Sequence, residues 1–325
     1  MKDADVRAQI VKIFRDNSGV FVSGEEVSEA LGFSRASVWK YIQKLREDGY
    51  EIEAVPHLGY RLRSAPDRLF GFEVASGLKT RTIGKKDIYY FDSIPSTNDK
   101  ACELAEGGSP DGSLVIAETQ TSGRGRLGRK WLSPKAEGIY FSIILRPDVQ
   151  MDEIPAITLI AAGAVIKAIK RQCGIEARMK WPNDVYINGR KVCGILTEIK
   201  AQPDRVDFLV LGMGINVNTS RKKLPAEGTS LEAETGARYD RVDLLKKILE
   251  EVEKDYTLFR AEGFESLREE CKEFSSVLGK SLKIDQYDGS VEGVAVDIDS
   301  RGALILRTRS GEKRRIFSGD VVLCR

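Results

Sequence analysis

Four stretches of the chain carry side chains that could do chemistry: Ser96-Thr97-Asn98, Gln120 through Trp131, Lys180-Trp181-Pro182-Asn183-Asp184, and Gly212-Met213-Gly214-Ile215-Asn216-Val217-Asn218. Residues 124–130 hold three arginines and one lysine, interleaved with Gly125 and Gly128. Cations packed so closely repel one another unless they are solvated or neutralised. Glycines let the backbone wrap an anion, and guanidiniums bind phosphate bidentately. The preferred reading is a loop that is disordered when empty and ordered by a nucleotide phosphate, although such a run also suits a nucleic-acid patch. Trp131 beside it offers a flat ring for stacking on a base, or fills a core. Ser96 and Thr97 are helix N-caps, or donors that a helix N-terminus turns toward a polar head group. Lys180 at the end of a buried strand calls for an anionic partner, either Asp184 or a ligand.

The chain has one histidine, His57, between Pro56 and Leu58 near the N-terminus. A Ser-His-Asp triad needs an imidazole beside its nucleophile, and an H-E-x-x-H zinc site needs two. The chemistry left to this chain runs on Lys, Arg, carboxylates, hydroxyls and backbone dipoles. Charge-stabilised reactions, phosphoryl transfer among them, fit that inventory.

The elements that must position these residues follow from local patterns. Ile88–Phe91 is a strand, and a helix is expected from about Asp99 to Ala105. Leu114 to Glu118 is a strand leading into Gly123-x-Gly125-x-x-Gly128, a literal dinucleotide fingerprint. That fingerprint requires a helix after the glycines. Here Trp131-Leu132-Ser133-Pro134 follows and then a strand, Ile139 to Leu145, so the Rossmann reading fails. A helix from about Pro155 to Gln172 precedes Lys180. Val185–Ile187 and Val192–Ile199 form a hairpin about the Asn188-Gly189 turn. A further strand, Phe208–Leu211, leads into the second glycine-rich stretch. Phe264–Ser275 reads as a helix, and the short strands beyond it suggest a small barrel.

At the N-terminus, Val6, Ile10, Ile13 and Phe14 recur at helical spacing. Ser23 and Glu26 form a capping box ahead of Val27, Ala30 and Leu31, and Gly32 stops that helix. Ser34 caps a third helix with an inner stripe of Val38, Ile42 and Leu45. The three-residue turn Gly32-Phe33-Ser34 between them is a helix-turn-helix signature. Two short apolar pieces around Pro56-His57-Leu58-Gly59 read as a β-hairpin wing. Residues 1–64 carry ten basic and ten acidic groups, yet residues 34–46 hold Arg35, Lys40, Lys44 and Arg46 with no acid. Arg35, Ser37, Lys40, Gln43 and Lys44 lie off the apolar stripe, where a recognition helix meets phosphates and base edges. A protein-contact module with a solvated charged face is the alternative. Arg63 to Asp67 is a short linker.

The 325 residues suggest two or three domains, with 51 basic and 49 acidic side chains in near balance. The five cysteines, at 102, 173, 193, 271 and 324, include no C-x-x-C pair. That supports neither a disulfide framework nor a thiolate zinc site. No apolar stretch is long enough to span a bilayer, and no secretory h-region opens the chain. A cytoplasmic protein without membrane partners is expected.

Taken in order, Ser96-Thr97-Asn98, Gly123–Trp131, Lys180–Asp184 and Gly212–Asn218 resemble the motifs of the bacterial biotin protein ligases. The winged helix ahead of them resembles the bifunctional form, which also represses the biotin operon, and the resemblance covers essentially the whole chain. It implies an α+β fold: a winged helix-turn-helix over residues 1–64, a central mixed-sheet α/β catalytic domain of the class II synthetase and lipoate-ligase type over 65–276, and a C-terminal SH3-like small β-barrel over 277–325. The implied reaction uses ATP and Mg²⁺ to make biotinyl-5′-AMP and pyrophosphate. Biotin then passes to a lysine of the biotin carboxyl carrier protein of acetyl-CoA carboxylase. Carried over by motif, Ser96, Thr97, Asn98 and Gln120 line the biotin side, and Arg124, Gly125 and Arg126 close over biotin and phosphate. Lys180 is assigned to the carboxylate and α-phosphate, making Lys180, Arg124 and Arg126 the catalytic set. Gly123, Trp131, Asn183 and Asn216 fall to ATP, with Asp184 as a candidate metal ligand. Biotinyl-5′-AMP as corepressor would favour a homodimer on a two-fold symmetric operator. A lipoate ligase and a biotin-sensing regulator without catalysis are the alternative readings.

Overall fold

A computed structural model describes residues 3–202, 205–286 and 289–323, so Cys324 lies outside the described residues. The chain divides into two compact units between Ser76 and Gly77.

The N-terminal unit holds helices α1 (Asp3–Asp16), α2 (Gly24–Leu31) and α3 (Arg35–Glu47), then the antiparallel wing strands β1 (Glu51–Val55) and β2 (Gly59–Ser64). The local signals act as the sequence suggests. Ser23 and Glu26 make both arms of the capping box, and Gly32 closes α2 at φ 69°. Val38, Ile42 and Leu45 of α3 are buried, as are Val6, Ile10 and Phe14 of α1. In α2 only Val27 of the expected apolar face is buried, and Ala30 is exposed.

The segment after the wing differs from the short linker and the domain break at residue 64 expected above. Phe70 and Phe72 stack on Tyr50 at 6.5 and 6.4 Å between ring centroids. Helix α4 (Gly71–Ala75) buries Glu73, whose carboxylate accepts from Arg15 at 2.7 Å and from the Tyr50 hydroxyl. Residues up to Ser76 therefore pack with the winged helix, because aromatic stacking and a buried carboxylate tie them to it.

The second unit is built on a seven-stranded mixed sheet in the order β3-β4-β5-β9-β8-β7-β6. Its strands are β3 (Ile88–Phe91), β4 (Leu114–Ala117), β5 (Gly138–Leu145), β6 (Arg178–Lys180), β7 (Asp184–Ile187), β8 (Arg190–Gln202) and β9 (Arg205–Asn216). Only β3 and β4 run parallel; the other neighbours are antiparallel. β9 runs on to Asn216, so Gly212–Asn216, expected to follow a short strand, is itself strand.

Helix α5 (Thr97–Glu106) covers half of one face. Its Ala101 and Ala105 pack on Val115, Ile144, Phe208 and Val210. Successive side chains alternate across a strand. The residues of β9 that follow on that same face are Gly212, Gly214 and Asn216, which lie beyond the helix N-terminus.

Helix α6 (Ile154–Cys173) packs against β8 and against α8 (Arg241–Glu262), a helix not anticipated above; the short α7 (Leu231–Thr235) lies between them in sequence. The N-terminus of α8 is pinned to the sheet by fully buried Arg241, which donates to Glu118 and to the Gly138 carbonyl, each at 2.9 Å.

After α9 (Glu265–Phe274) come five antiparallel strands: β10 (Ser281–Gln286), β11 (Gly289–Ile298), β12 (Leu304–Arg307), β13 (Lys313–Ile316) and β14 (Asp320–Leu323). The last pairs with the first, giving the order β13-β12-β11-β10-β14. This module docks on the motif Lys180–Asp184: buried Trp181 donates its indole N–H to the Gly302 carbonyl at 3.1 Å. A side chain at Gly302 would meet the backbone of Ala156 at 2.5 Å, so the turn lies flush on α6.

Candidate active site

A pocket opens on the face of the sheet that α5 leaves bare. Its floor is Gly194 of β8 with Gly212, Gly214 and Asn216 of β9. A Cβ at Gly212 would stand 1.8 Å from Asn98 Oδ1, and one at Gly214 would stand 2.4 Å from Trp131 Nε1. Those glycines are required by the side chains lying on them.

One wall is the N-terminus of α5. Ser96 is the N-cap, accepting from the Asp99 amide at 3.3 Å, and it also lines the pocket. Thr97 donates its amide and hydroxyl to Gln120 Oε1 at 2.8 and 3.1 Å. Asn98 donates to Glu198 at 2.7 Å and accepts from Ser142 at 2.6 Å. All three residues are buried, so the wall is a prearranged polar lattice suited to a small polar ring.

The arginine loop forms the roof. It is a narrow hairpin, with the Gly125 amide on the Arg129 carbonyl at 2.7 Å and the Trp131 amide on the Gly123 carbonyl at 2.9 Å. Its tip is a 3₁₀ turn, Arg126–Gly128, in which exposed Leu127 adopts φ 55°. No helix follows the glycines, in agreement with the failed Rossmann reading.

The three arginines point to different places. Arg126 turns inward, donating to Asn183 Oδ1 at 3.2 Å and to the Gly319 carbonyl at 3.3 Å, and burial lowers its pKa. Arg124 pairs with Asp99, and with Glu198 at 3.4 Å; Arg129 pairs with Asp320 of β14. Trp131 lies on Gly194 and Gly214, and its buried indole N–H has no hydrogen-bond partner among the described residues.

Two expected residues stand at or beyond the edge of the wall. Lys180 pairs in register with Asp184, which puts its side chain on the pocket face of the sheet, and its ammonium lies 5.4 Å from the centroid of the Tyr186 ring, at the edge of the lining rather than in it. Burial, then Asp184, pushes the Tyr186 phenol up to about 12. The Asp184 carboxylate makes its ion pair with Lys191 at 2.7 Å, and Lys191 Nζ sits 5.5 Å from the centroid of the Trp131 ring, inside the pocket. Lys191 therefore lines the pocket, as does Lys130 of the arginine loop. Gly123 also falls outside the wall, where its lack of a side chain lets the Trp131 carbonyl and Ser133 pass close. Ser96, Thr97, Asn98, Gln120, Arg124, Gly125, Arg126, Trp131, Asn183, Asp184 and Asn216 do converge on the pocket. Besides Lys191, the sequence reading omits Asp320 and the Leu224–Gly228 loop, which complete the wall.

In the N-terminal unit, the five residues expected on the outer face of α3 all lie off its buried stripe. Arg35 is paired with Glu25 at 2.6 Å, Ser37 bonds Ser34 at 3.0 Å, and Lys44 lies 5.5 Å from the Tyr41 ring centroid. Lys40 is exposed.

Comparison with known proteins agrees with this architecture. Residues 90–216 match the model of the biotin/lipoate A/B protein ligase family, residues 6–61 an HTH domain, and residues 277–323 the biotin protein ligase C terminal domain. The chain is 41% identical over 322 residues to the bifunctional ligase/repressor BirA of Bacillus spizizenii, covering 98% of each chain. It is 31% identical over 329 residues to that of Escherichia coli, covering 99% of this chain and 98% of the other. Among solved structures, the biotin protein ligase from Aquifex aeolicus in complex with biotin and ATP aligns with a TM-score of 0.63 at 32% identity. That alignment covers 74% of this chain and 99% of that one.

Proposed function

The chain belongs to the biotin/lipoate A/B protein ligase family, in its bifunctional ligase/repressor branch, and on that premise we propose how its residues divide the work. It is an ATP-dependent ligase that activates biotin as biotinyl-5′-AMP and transfers it to a lysine of the carrier protein of acetyl-CoA carboxylase. It is also a DNA-binding repressor.

Biotin's ureido ring meets the polar wall of Ser96, Thr97, Asn98 and Gln120, which leaves its valerate pointing toward Arg126 and Lys191. A carboxylate oxygen attacks the α-phosphorus of ATP, and pyrophosphate leaves. Lys180, Arg126 and Lys191 supply the cations for the charge that builds on the phosphoryl oxygens, the kind of stabilisation such a transition state needs. In the second step the neutral acceptor amine attacks the acyl carbon, the bond to the phosphate oxygen breaks, AMP leaves and the new amide nitrogen gives up a proton to solvent, with the same cations holding the departing phosphate. Neither step asks for a histidine. Trp131 and Asn216, with the Leu224–Gly228 loop, serve the nucleotide. Magnesium, when bound with ATP, would draw charge from the phosphates; of the wall carboxylates Asp184, Glu227 and Asp320, the two aspartates would hold it, a donor set suited to an ion that keeps several waters.

The observation that carries this reading is that Arg126 and Lys191 line the same pocket as the polar helix N-terminus formed by Ser96, Thr97 and Asn98. Biotin-dependent release of pyrophosphate from ATP, followed in the same tube as label transfer to a carrier-domain lysine, tests it. Release without biotin dependence, or with lipoate preferred, would sink it, and no release from a biotin-binding protein would make the chain a sensor. The domain limits proposed with this reading are 1–76 for the DNA-binding unit, 77–276 for catalysis and 277–325 for the barrel. No described helix is long and apolar enough to cross a membrane, and the proposed place of work is the cytoplasm. Adenylate binding is proposed to drive a homodimer that sets two α3 helices on a symmetric operator.

A further inference from the structure

Trp39 is 53% exposed on the outer face of α3, the most exposed aromatic among the described residues of the N-terminal unit. Its one polar atom is already used. With the Gln43 amide turned to satisfy its neighbours, the Gln43 oxygen accepts from Trp39 Nε1 at 3.2 Å and from Arg46 Nη1 at 3.0 Å. Arg46 is in turn fixed to the wing, donating through Nε and Nη2 to the Ile52 carbonyl at 3.0 and 2.7 Å. Trp39 and Gln43 are four residues apart and so share one face of the helix. The pair presents two things outward: a hydrocarbon ring, and the amide NH₂ of Gln43, which can only donate.

A partner must supply an apolar group next to an acceptor, and it must carry negative charge to suit Arg35, Lys40 and Lys44 in a helix segment with no acid between residues 34 and 46. In the major groove of duplex DNA the apolar group on the base edges is the C5-methyl of thymine, and O4 of the same base is an acceptor beside it. We propose that Trp39 and Gln43 act together as a thymine-reading pair, the indole packing on the methyl and the amide donating to O4. This rests on the DNA-binding reading given above and deepens it.

The test uses the full chain with biotin and ATP present, at fixed salt. A pool of random-sequence duplexes is selected for binding, and each thymine of the bound sequence is replaced in turn by deoxyuracil, which removes the methyl alone. Wild-type protein should lose about fourfold in affinity at one or more thymines in each half-site, the worth of one buried methyl group. In Trp39→Ala the same replacements should have no effect, although the variant keeps its ligase activity and helical circular dichroism. Lys40→Ala should weaken all duplexes alike. Binding without any uracil-sensitive position, or sensitivity retained in Trp39→Ala, overturns the pair and leaves DNA binding standing. Failure to select any duplex overturns the DNA-binding reading and the pair together.

Discussion

At the scale of single residues, a β-bulge brings a further lysine to the site. β7 and β8 pair Val185 with Cys193 and then Tyr186 with Lys191, so Val192 is an extra residue. Strict alternation would put residue 192 on the face of Gly194; the extra residue puts Lys191 there. A Cβ on Gly194 would indeed lie 3.1 Å from Lys191 Cε. Lys191→Ala should therefore slow biotin-dependent pyrophosphate release by ~10²–10³-fold, the cost of one prearranged charge-stabilising donor. Lys180→Ala should cost at least ~10²–10³-fold by the same measure, as expected of the motif lysine on the same face of the sheet. Most of the rate kept by Lys180→Ala in single-turnover assays would remove that lysine from the reaction. Gly214→Ala tests the floor. Its methyl cannot coexist with the Trp131 ring where it lies, so titration calorimetry should show nucleotide and biotin binding weakened by at least about tenfold.

At the scale of elements, the site is one half of a sheet face whose other half is covered by α5. The helix begins at the edge of the pocket because Ser96 caps it there, and the same cap leaves Ser96, Thr97 and Asn98 lining the pocket. Helix α8 is tied to the strand beneath by the buried Arg241–Glu118 pair. Removing one partner leaves an uncompensated buried charge, so Glu118→Ala should destabilise the second unit by about 3–5 kcal/mol in denaturant titrations. Glu118→Ala combined with Arg241→Met should recover part of that loss. If the single variant unfolds like wild type, the pair does not fasten the helix.

At the scale of the whole molecule, catalysis and repression are joined by one compound. If adenylate strengthens dimerisation, then by linkage the dimer must bind adenylate more tightly than the monomer does, and the two effects are equal in free energy. Sedimentation equilibrium with and without biotin and ATP should show dimerisation strengthened by at least about tenfold, within the usual range of such couplings. Identical association constants would leave the ligase intact and remove the switch. The barrel enters the site itself, since Arg126 meets the Gly319 carbonyl and Arg129 meets Asp320. Asp320→Ala should raise the KM for ATP more than that for biotin in steady-state assays.

Much of this protein is written locally. Capping at Ser23, Ser34 and Ser96, the Asn188-Gly189 turn and the apolar stripes of α1 and α3 depend on neighbours within a few residues, so the sequence alone determines them. The arginine loop and the single histidine likewise favoured charge-stabilised reactions, phosphoryl transfer among them. What only the tertiary structure decided involves contacts far apart in the chain or a break in periodicity. A single extra residue in β8 turned Lys191 onto the pocket face. Asp320 reached the pocket because Trp181 docks the barrel, and residues 65–76 joined the winged helix because Tyr50 gave Phe70, Phe72 and Glu73 something to pack on. Periodicity carries no record of a bulge, and spacing carries none of a contact made across more than a hundred residues.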